Sequence, residues 1–174
     1  MPPVKTTLIA TVCGVLLSLV SITSAAADVG EMGKTRAGNY YLNSVCPEYP
    51  ALNGLNRALP ANSHGYWRTK DLTPRVFRRV KSASRDLSDA YFNAARGLYN
   101  PPRNWPSYVL TPVNKAAKLT KRSSDVTHDL GNAYTPRGFT RIWNNRFAPL
   151  WKPLHNAGST IRAKLDLPPS PKGC

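Results

Sequence analysis

Apolar residues recur every three or four positions through most of the chain, and no alternation of period two runs long enough to predict a strand. The clearest run lies between Thr73 and Tyr99. Val76, Val80, Ala83, Leu87, Ala90 and Ala94 follow in alternating steps of four and three, and Phe77, Tyr91 and Leu98 widen the stripe. Thr73 is a good N-cap, Pro74 suits a first helical position, and Asn100-Pro101-Pro102 stops the run. Such a stripe requires partner helices, and its alanines let them approach closely, as in a bundle.

The remaining elements follow from the same spacing and its interruptions. Tyr41, Leu42, Val45, Leu52, Leu55 and Leu59 keep helical spacing from Asn39 onward. Pro47 and Pro50 divide them into a short element ending near Val45 and a second starting after Pro50. Residues 61–65 read as a loop. Thr111-Pro112 repeats the Thr-Pro start and predicts a helix through Val113, Ala116, Ala117, Thr120, Ser124 and Thr127 to Leu130, with a small, polar inner face. A turn follows over residues 131–138. The last helix is expected over residues 139–165, with Ile142, Trp143, Phe147, Leu150, Trp151, Leu154, Ala157, Ile161 and Leu165 on one face. Pro149 and Pro153 require it to kink or split near Ala148. The expected fold is all-α, a bundle of three to four helices over residues 39–166. A flexible, Gly-containing segment, residues 28–38, precedes it, and a Pro-rich tail, residues 167–174, ends in Cys174.

The first residues read as an address. Lys5 is followed by an apolar or small stretch from Leu8 to Ile22 and then by Ser24-Ala25-Ala26-Ala27, the order of a secretory signal peptide cleaved after Ala27. A spanning anchor would need about 20 apolar residues. Cys13 leaves with the signal, so Cys46 and Cys174 remain in an exported chain, where disulfides persist. An intramolecular Cys46–Cys174 bridge would tie the Pro-rich tail to the first helix. The alternative is an intermolecular bridge through the terminal cysteine. Tyr40-Tyr41-Leu42-Asn43-Ser44-Val45-Cys46-Pro47, with Ala51-Leu52-Asn53-Gly54-Leu55-Asn56 after it, resembles the start of small secreted helical proteins of unknown function from high-GC Gram-positive bacteria. That resemblance covers residues 40–56. It implies a Cys-Pro near the start of an exported helical domain and carries over no catalytic residue.

Composition narrows the function classes. With 174 residues, 41% of them hydrophobic, and a mean hydropathy of −0.37, the chain suits one domain and neither a polytopic membrane protein nor a disordered chain. Three Cys and three His exclude a zinc-ribbon array. There is no nucleophile elbow, no H-E-x-x-H, no phosphate-binding Gly-rich loop and no dinucleotide fingerprint. Glu occurs only at Glu31 and Glu48, so paired carboxylates would have to be Asp. Asp125, His128 and Asp129 can share one helix face as a cation site or general base, but two carboxylates and one imidazole do not complete a metal site, and a solvated face with Asp125 beside Lys121 or Arg122 is the preferred reading. No catalytic residue, metal or cofactor is expected.

Charge is the stronger clue: 24 Lys and Arg against 9 Asp and Glu leave a formal +15. Arg75, Arg78, Arg79, Lys81 and Arg85 crowd the N-terminal half of the long helix between Thr73 and Tyr99, largely off its apolar stripe. The helix macrodipole disfavours cations there, a cost that a polyanionic partner would offset. Lys115, Lys118 and Arg122 form a second patch on the next helix. Trp67 and Trp105, in loop contexts beside Arg68 and Arg103, are expected at the surface as aromatic rim, whereas Trp143, Phe147 and Trp151 fit the core stripe. A basic face kept for solubility is the plainer alternative. The expected protein is an exported, non-enzymatic binder that contacts an anionic envelope polymer or lipid headgroups. A secreted protein–protein module (inhibitor, effector or subunit of an envelope complex) is the alternative, and nucleic acid is a third partner class.

Overall fold

Residues 30–60 and 69–174 are described by the computed structural model. The segment expected as a signal peptide, the expected loop at residues 61–65 and Trp67 lie outside the described residues. Six α-helices follow one another, with no strand among the described residues: α1 (Lys34–Val45), α2 (Glu48–Ala58), α3 (Pro74–Tyr99), α4 (Ser107–Gly131), α5 (Pro136–Ile142) and α6 (Ala148–Lys164). The fold is the all-α bundle expected from the spacing. No helix among the described residues is long and apolar enough to cross a membrane.

Helix α3 begins and ends where its sequence indicates. Thr73 Oγ1 accepts from the Val76 N–H at 3.4 Å, Pro74 opens the helix, and Val80, Leu87, Tyr91, Ala94 and Leu98 are buried along one face. Helix α4 starts earlier than Thr111-Pro112 suggested, and Pro112 lies inside it. Its N-terminus is held from far away: the Glu31 carboxylate accepts from the Ser107 N–H at 3.1 Å, replacing the local cap. Pro112 lacks an N–H for the Tyr108 carbonyl, and Tyr108 lies on an exposed face where water can serve that group. Pro136 opens α5 inside the expected turn, with Thr135 Oγ1 accepting from the Gly138 N–H at 3.1 Å. The chain then passes through one π-helical turn, Trp143–Phe147, into α6, so the last helix is split just before Ala148. Pro149 has no N–H for the carbonyl four residues back, and the Ala148 N–H bonds the Trp143 carbonyl instead.

The α3–α4 crossing explains the small, polar inner face of α4. Ser88 Oγ donates to the Ser124 carbonyl and Ser124 Oγ to the Ser88 carbonyl, both at 3.0 Å, which is possible only when the two backbones run close. Gly131 continues that approach, since a Cβ there would stand 3.3 Å from the Lys81 carbonyl. Around this spine two apolar clusters form. One joins Leu55, Val80, Leu87, Leu130, Phe139 and Trp143 from α2 to α5 and the π turn. The other joins Tyr41, Val45, Leu98, Val109, Val113 and Ile161 from α1, α3, α4 and α6.

Both chain ends depart from plain flexibility. Residues 34–38 are helical, against the flexible segment expected over residues 28–38. Met32 and Ala37 are buried, the Met32 N–H bonds the Asn104 carbonyl at 2.9 Å, and Lys34 pairs with Asp166. Small residues hid this start: Ala37 and Gly38 face the core, and Leu167 lies 3.1 Å from where a Gly38 Cβ would be. Glu48 rather than a residue after Pro50 opens α2. At the C-terminus, Asp166 takes a left-handed φ of 54° and the Leu167 N–H reaches the Arg162 carbonyl at 2.9 Å, a Schellman closure that turns the tail back over α1. The tail is tied as expected, by a disulfide between Cys46 and Cys174 with Cα atoms 5.2 Å apart.

Candidate functional site

The eight basic residues singled out by sequence all lie on α3 and α4, turned away from the buried faces. Arg75, Arg78, Lys115, Lys118 and Arg122 are exposed, and the three ion pairs among the described residues use other side chains. The other three are partly engaged. Arg79 donates through Nε and Nη2 to the Ala58 carbonyl at 3.3 and 3.1 Å, closing the C-terminus of α2. That contact gives a cation in the second turn of α3 a structural use of its own, because a helix C-terminus favours positive charge. Lys81 lies over the Phe77 ring, 5.3 Å from its centroid, and Arg85 reaches Asn132 Oδ1 at 3.5 Å.

Two tryptophans sit opposite to expectation. Trp105, expected at the surface, is buried: Nε1 donates to the Leu98 carbonyl at 3.0 Å and the ring packs edge-on against Tyr40. The loop that carries it closes over the junction of α3 and α4, so a loop context did not mean exposure. Trp151, expected in the core with Trp143 and Phe147, is 46% exposed, whereas those two are buried. The π turn inserts extra residues per turn and rotates everything after it, which carries Trp151 off the stripe. Asp125 pairs with Lys121, Asp129 Oδ2 accepts from Arg146 at 2.7 Å, and His128 Nε2 meets Asn132 Nδ2 at 2.9 Å. The three side chains thus turn to separate partners on an exposed face.

The structure adds a site that sequence reading missed. A cavity of about 170 Å³ opens where α1, α2, α3, α4 and α6 meet under the tail. Tyr41, Glu48, Tyr49, Tyr91, Trp151 and Arg162 line it, with His155 and Ser170 also on its wall. Gly158 makes room for the Tyr41 hydroxyl, which would lie 3.2 Å from a Cβ there. Arg162 is buried and holds the tail: Nη1 donates to the Pro168 and Lys172 carbonyls at 2.8 and 2.9 Å, and Nη2 lies 3.2 Å from Cys174 Sγ. Tyr49 and Ser170 share a hydroxyl–hydroxyl hydrogen bond across the same seam.

Glu48 Oε1 is sealed from solvent and has no hydrogen-bond partner. Burial pushes its carboxyl up to about 8, from an ordinary 4.5, so the group is protonated at neutral pH. Burial likewise raises the Tyr41 hydroxyl, against the lowering pull of Arg162, and raises that of Tyr91, with Glu48 and Tyr49 adding to it. The signal in the sequence was modest. Tyr41, Val45, Tyr49 and Leu52 continue one helical stripe across Pro47, which puts Glu48 beside an apolar face. Comparison with protein-family models, with curated proteins and with solved structures finds no match for the chain.

Proposed function

We propose that this is an exported, non-enzymatic binding protein whose basic helix faces hold an anionic polymer, or the lipid headgroups, of the cell envelope. The observation that supports it is the set Arg75, Arg78, Lys115, Lys118 and Arg122: exposed, outward, and without an acidic partner among the described residues. Their attraction to a polyanion is additive and weakened by salt, at about 1 kcal/mol for each cation near an anionic surface. The test is co-sedimentation of the mature, oxidised protein with purified cell walls, with and without their anionic polymer, over a salt series. Binding that depends on the polymer and falls steeply with salt supports the reading. Replacing those five cations by Gln is expected to release the protein from the wall at ionic strengths where the parent stays bound. Arg79 is left in place because it closes α2. Retention indifferent to polymer and salt would refute this function. Nucleic acid would give a similar salt slope, so competition by duplex DNA separates the two.

A protein partner is the second reading, and one observation favours it. Phe92 and Tyr99 lie seven positions apart on α3 and are 50% and 46% exposed. Self-association or a stoichiometric protein complex that is lost on replacing both with Ser would support this reading.

A further inference from the structure

The cavity beneath the tail is independent of the basic faces, and its chemistry is of a different kind. We propose that it binds a small organic cation, a primary or quaternary ammonium, with Glu48 as counter-ion and Tyr41, Tyr49, Tyr91 and Trp151 as aromatic walls.

Three observations carry this. The first is size: a cavity of about 170 Å³ is comparable to the engineered space of roughly 150 Å³ that accepts a benzene ring, so the ligand has a handful of heavy atoms. The second is the wall. Aromatic faces attract cations through their quadrupoles, and an aromatic box closed by a carboxylate is the arrangement that recognises ammonium groups. The third is the orphaned Glu48 Oε1. Buried polar atoms are nearly always satisfied, and a buried carboxyl without a partner is costly. No cation among the described residues offsets it: burial is the cause of its raised pKa, and the Arg162 guanidinium is committed to the tail carbonyls.

The groups that face Glu48 across the cavity fix the sign of the ligand's charge. They are Tyr41 from α1, Tyr49 from α2, Tyr91 from α3, and His155 and Arg162 from α6, while α4 supplies Ala116 and Thr120. Among the described residues no second carboxyl lies on that wall. An anionic ligand would leave Glu48 protonated and would have to turn to Arg162, whose guanidinium is already bonded to the Pro168 and Lys172 carbonyls. A purely apolar ligand would leave Oε1 unsatisfied. An ammonium beside the Glu48 carboxyl supplies the counter-ion that no ion pair among the described residues provides. Binding a cation ionises a carboxyl that is protonated in the free protein, and one proton leaves. Affinity therefore climbs with pH up to about 8, by about tenfold per unit, and is flat above that value.

The probe is choline, titrated calorimetrically into the oxidised mature protein between pH 6 and 9, against its uncharged carbon isostere dimethylbutanol. Choline is expected to bind at least about tenfold tighter than the isostere, with affinity rising as stated. Glu48→Gln is expected to abolish the pH dependence and weaken choline by about tenfold or more while leaving the isostere unchanged. Should that variant fail to fold, Trp151→Ala on the rim tests the same point, with a larger loss expected for choline than for the isostere. Equal binding of the two probes, affinity that is flat or falls with pH, or no choline binding at millimolar concentration each overturns the proposal. Tighter binding of dimethylbutanol overturns it too and marks a site for a neutral molecule. Wall retention is read separately, so failure here leaves the basic-face reading untouched.

Discussion

At one end of the bundle Phe77, Phe139, Trp143 and Phe147 pack ring to ring, with successive centroids 6.2, 6.2 and 4.9 Å apart. At the other end small residues make up more of the buried set: Ala37, Ala116, Ala117, Ala157, Val109 and Val113 pack around Tyr41, Trp105 and Ile161. The aromatic end draws its cohesion from burial of large rings, each worth several methylenes of transfer free energy. The alanine-rich end gains less per residue and is closed by other means. These are the disulfide, the buried Arg162 clamp on the tail carbonyls and the Glu31 cap on α4. The difference shows where such a fold can keep polar groups inside. A region already fastened covalently tolerates a cavity with an unpaired carboxyl, whereas the buried orphan at the ring-packed end is a neutral amide oxygen, Asn144 Oδ1.

That contrast can be broken from either side. Phe139→Ala is expected to cost about 3–5 kcal/mol, because the side chain is fully buried among rings that cannot collapse onto the gap. Urea unfolding would read this as a lower midpoint across the whole bundle. Replacing Cys46 and Cys174 together by Ser is expected to cost about 2–5 kcal/mol. Here hydrogen exchange should show lost protection concentrated in α1 and the tail, with α5 little changed.

A gentler probe is pH. Glu48 has a folded pKa of about 8 against an ordinary 4.5, so the folded state binds the proton more tightly than the unfolded chain. Its contribution is fully present below about 4.5 and is lost as pH rises through about 8. The melting temperature should therefore decline over that window, and Glu48→Gln should flatten the decline. Smallest are the caps: Thr73→Ala and Thr135→Ala are each expected to cost about 1 kcal/mol. Thr111→Ala should stay within about 0.5 kcal/mol. Urea midpoints of the three variants decide whether the Thr-Pro pairs differ as their hydrogen bonds do.

Those three Thr-Pro pairs show how far local signals reach. Thr73-Pro74 and Thr135-Pro136 start helices, and both threonines accept the expected backbone N–H. Thr111-Pro112 lies within α4 because Glu31, remote in sequence, caps Ser107 instead. Reading the motif locally thus identified one start, misplaced a second and passed over a third. The basic faces were legible because α3 and α4 are long and regular, so spacing alone separates cations from the apolar stripe. The cavity was not, because its walls come from five helices and the tail.

By itself the sequence determined the helical class, the span of α3 and the outward direction of its cations, and it offered Cys46 and Cys174 as a candidate pair with an intermolecular bridge left open. Each depends on periodicity, capping chemistry or a count of cysteines, which are properties of neighbours along the chain. Only the tertiary structure decided that Trp105 is buried and Trp151 exposed, that residues 34–38 are helical, and that Glu48 is left alone in a ring-walled space. Burial is set by what other elements bring to a side chain, and here those elements are joined across more than a hundred residues by the Cys46–Cys174 bridge.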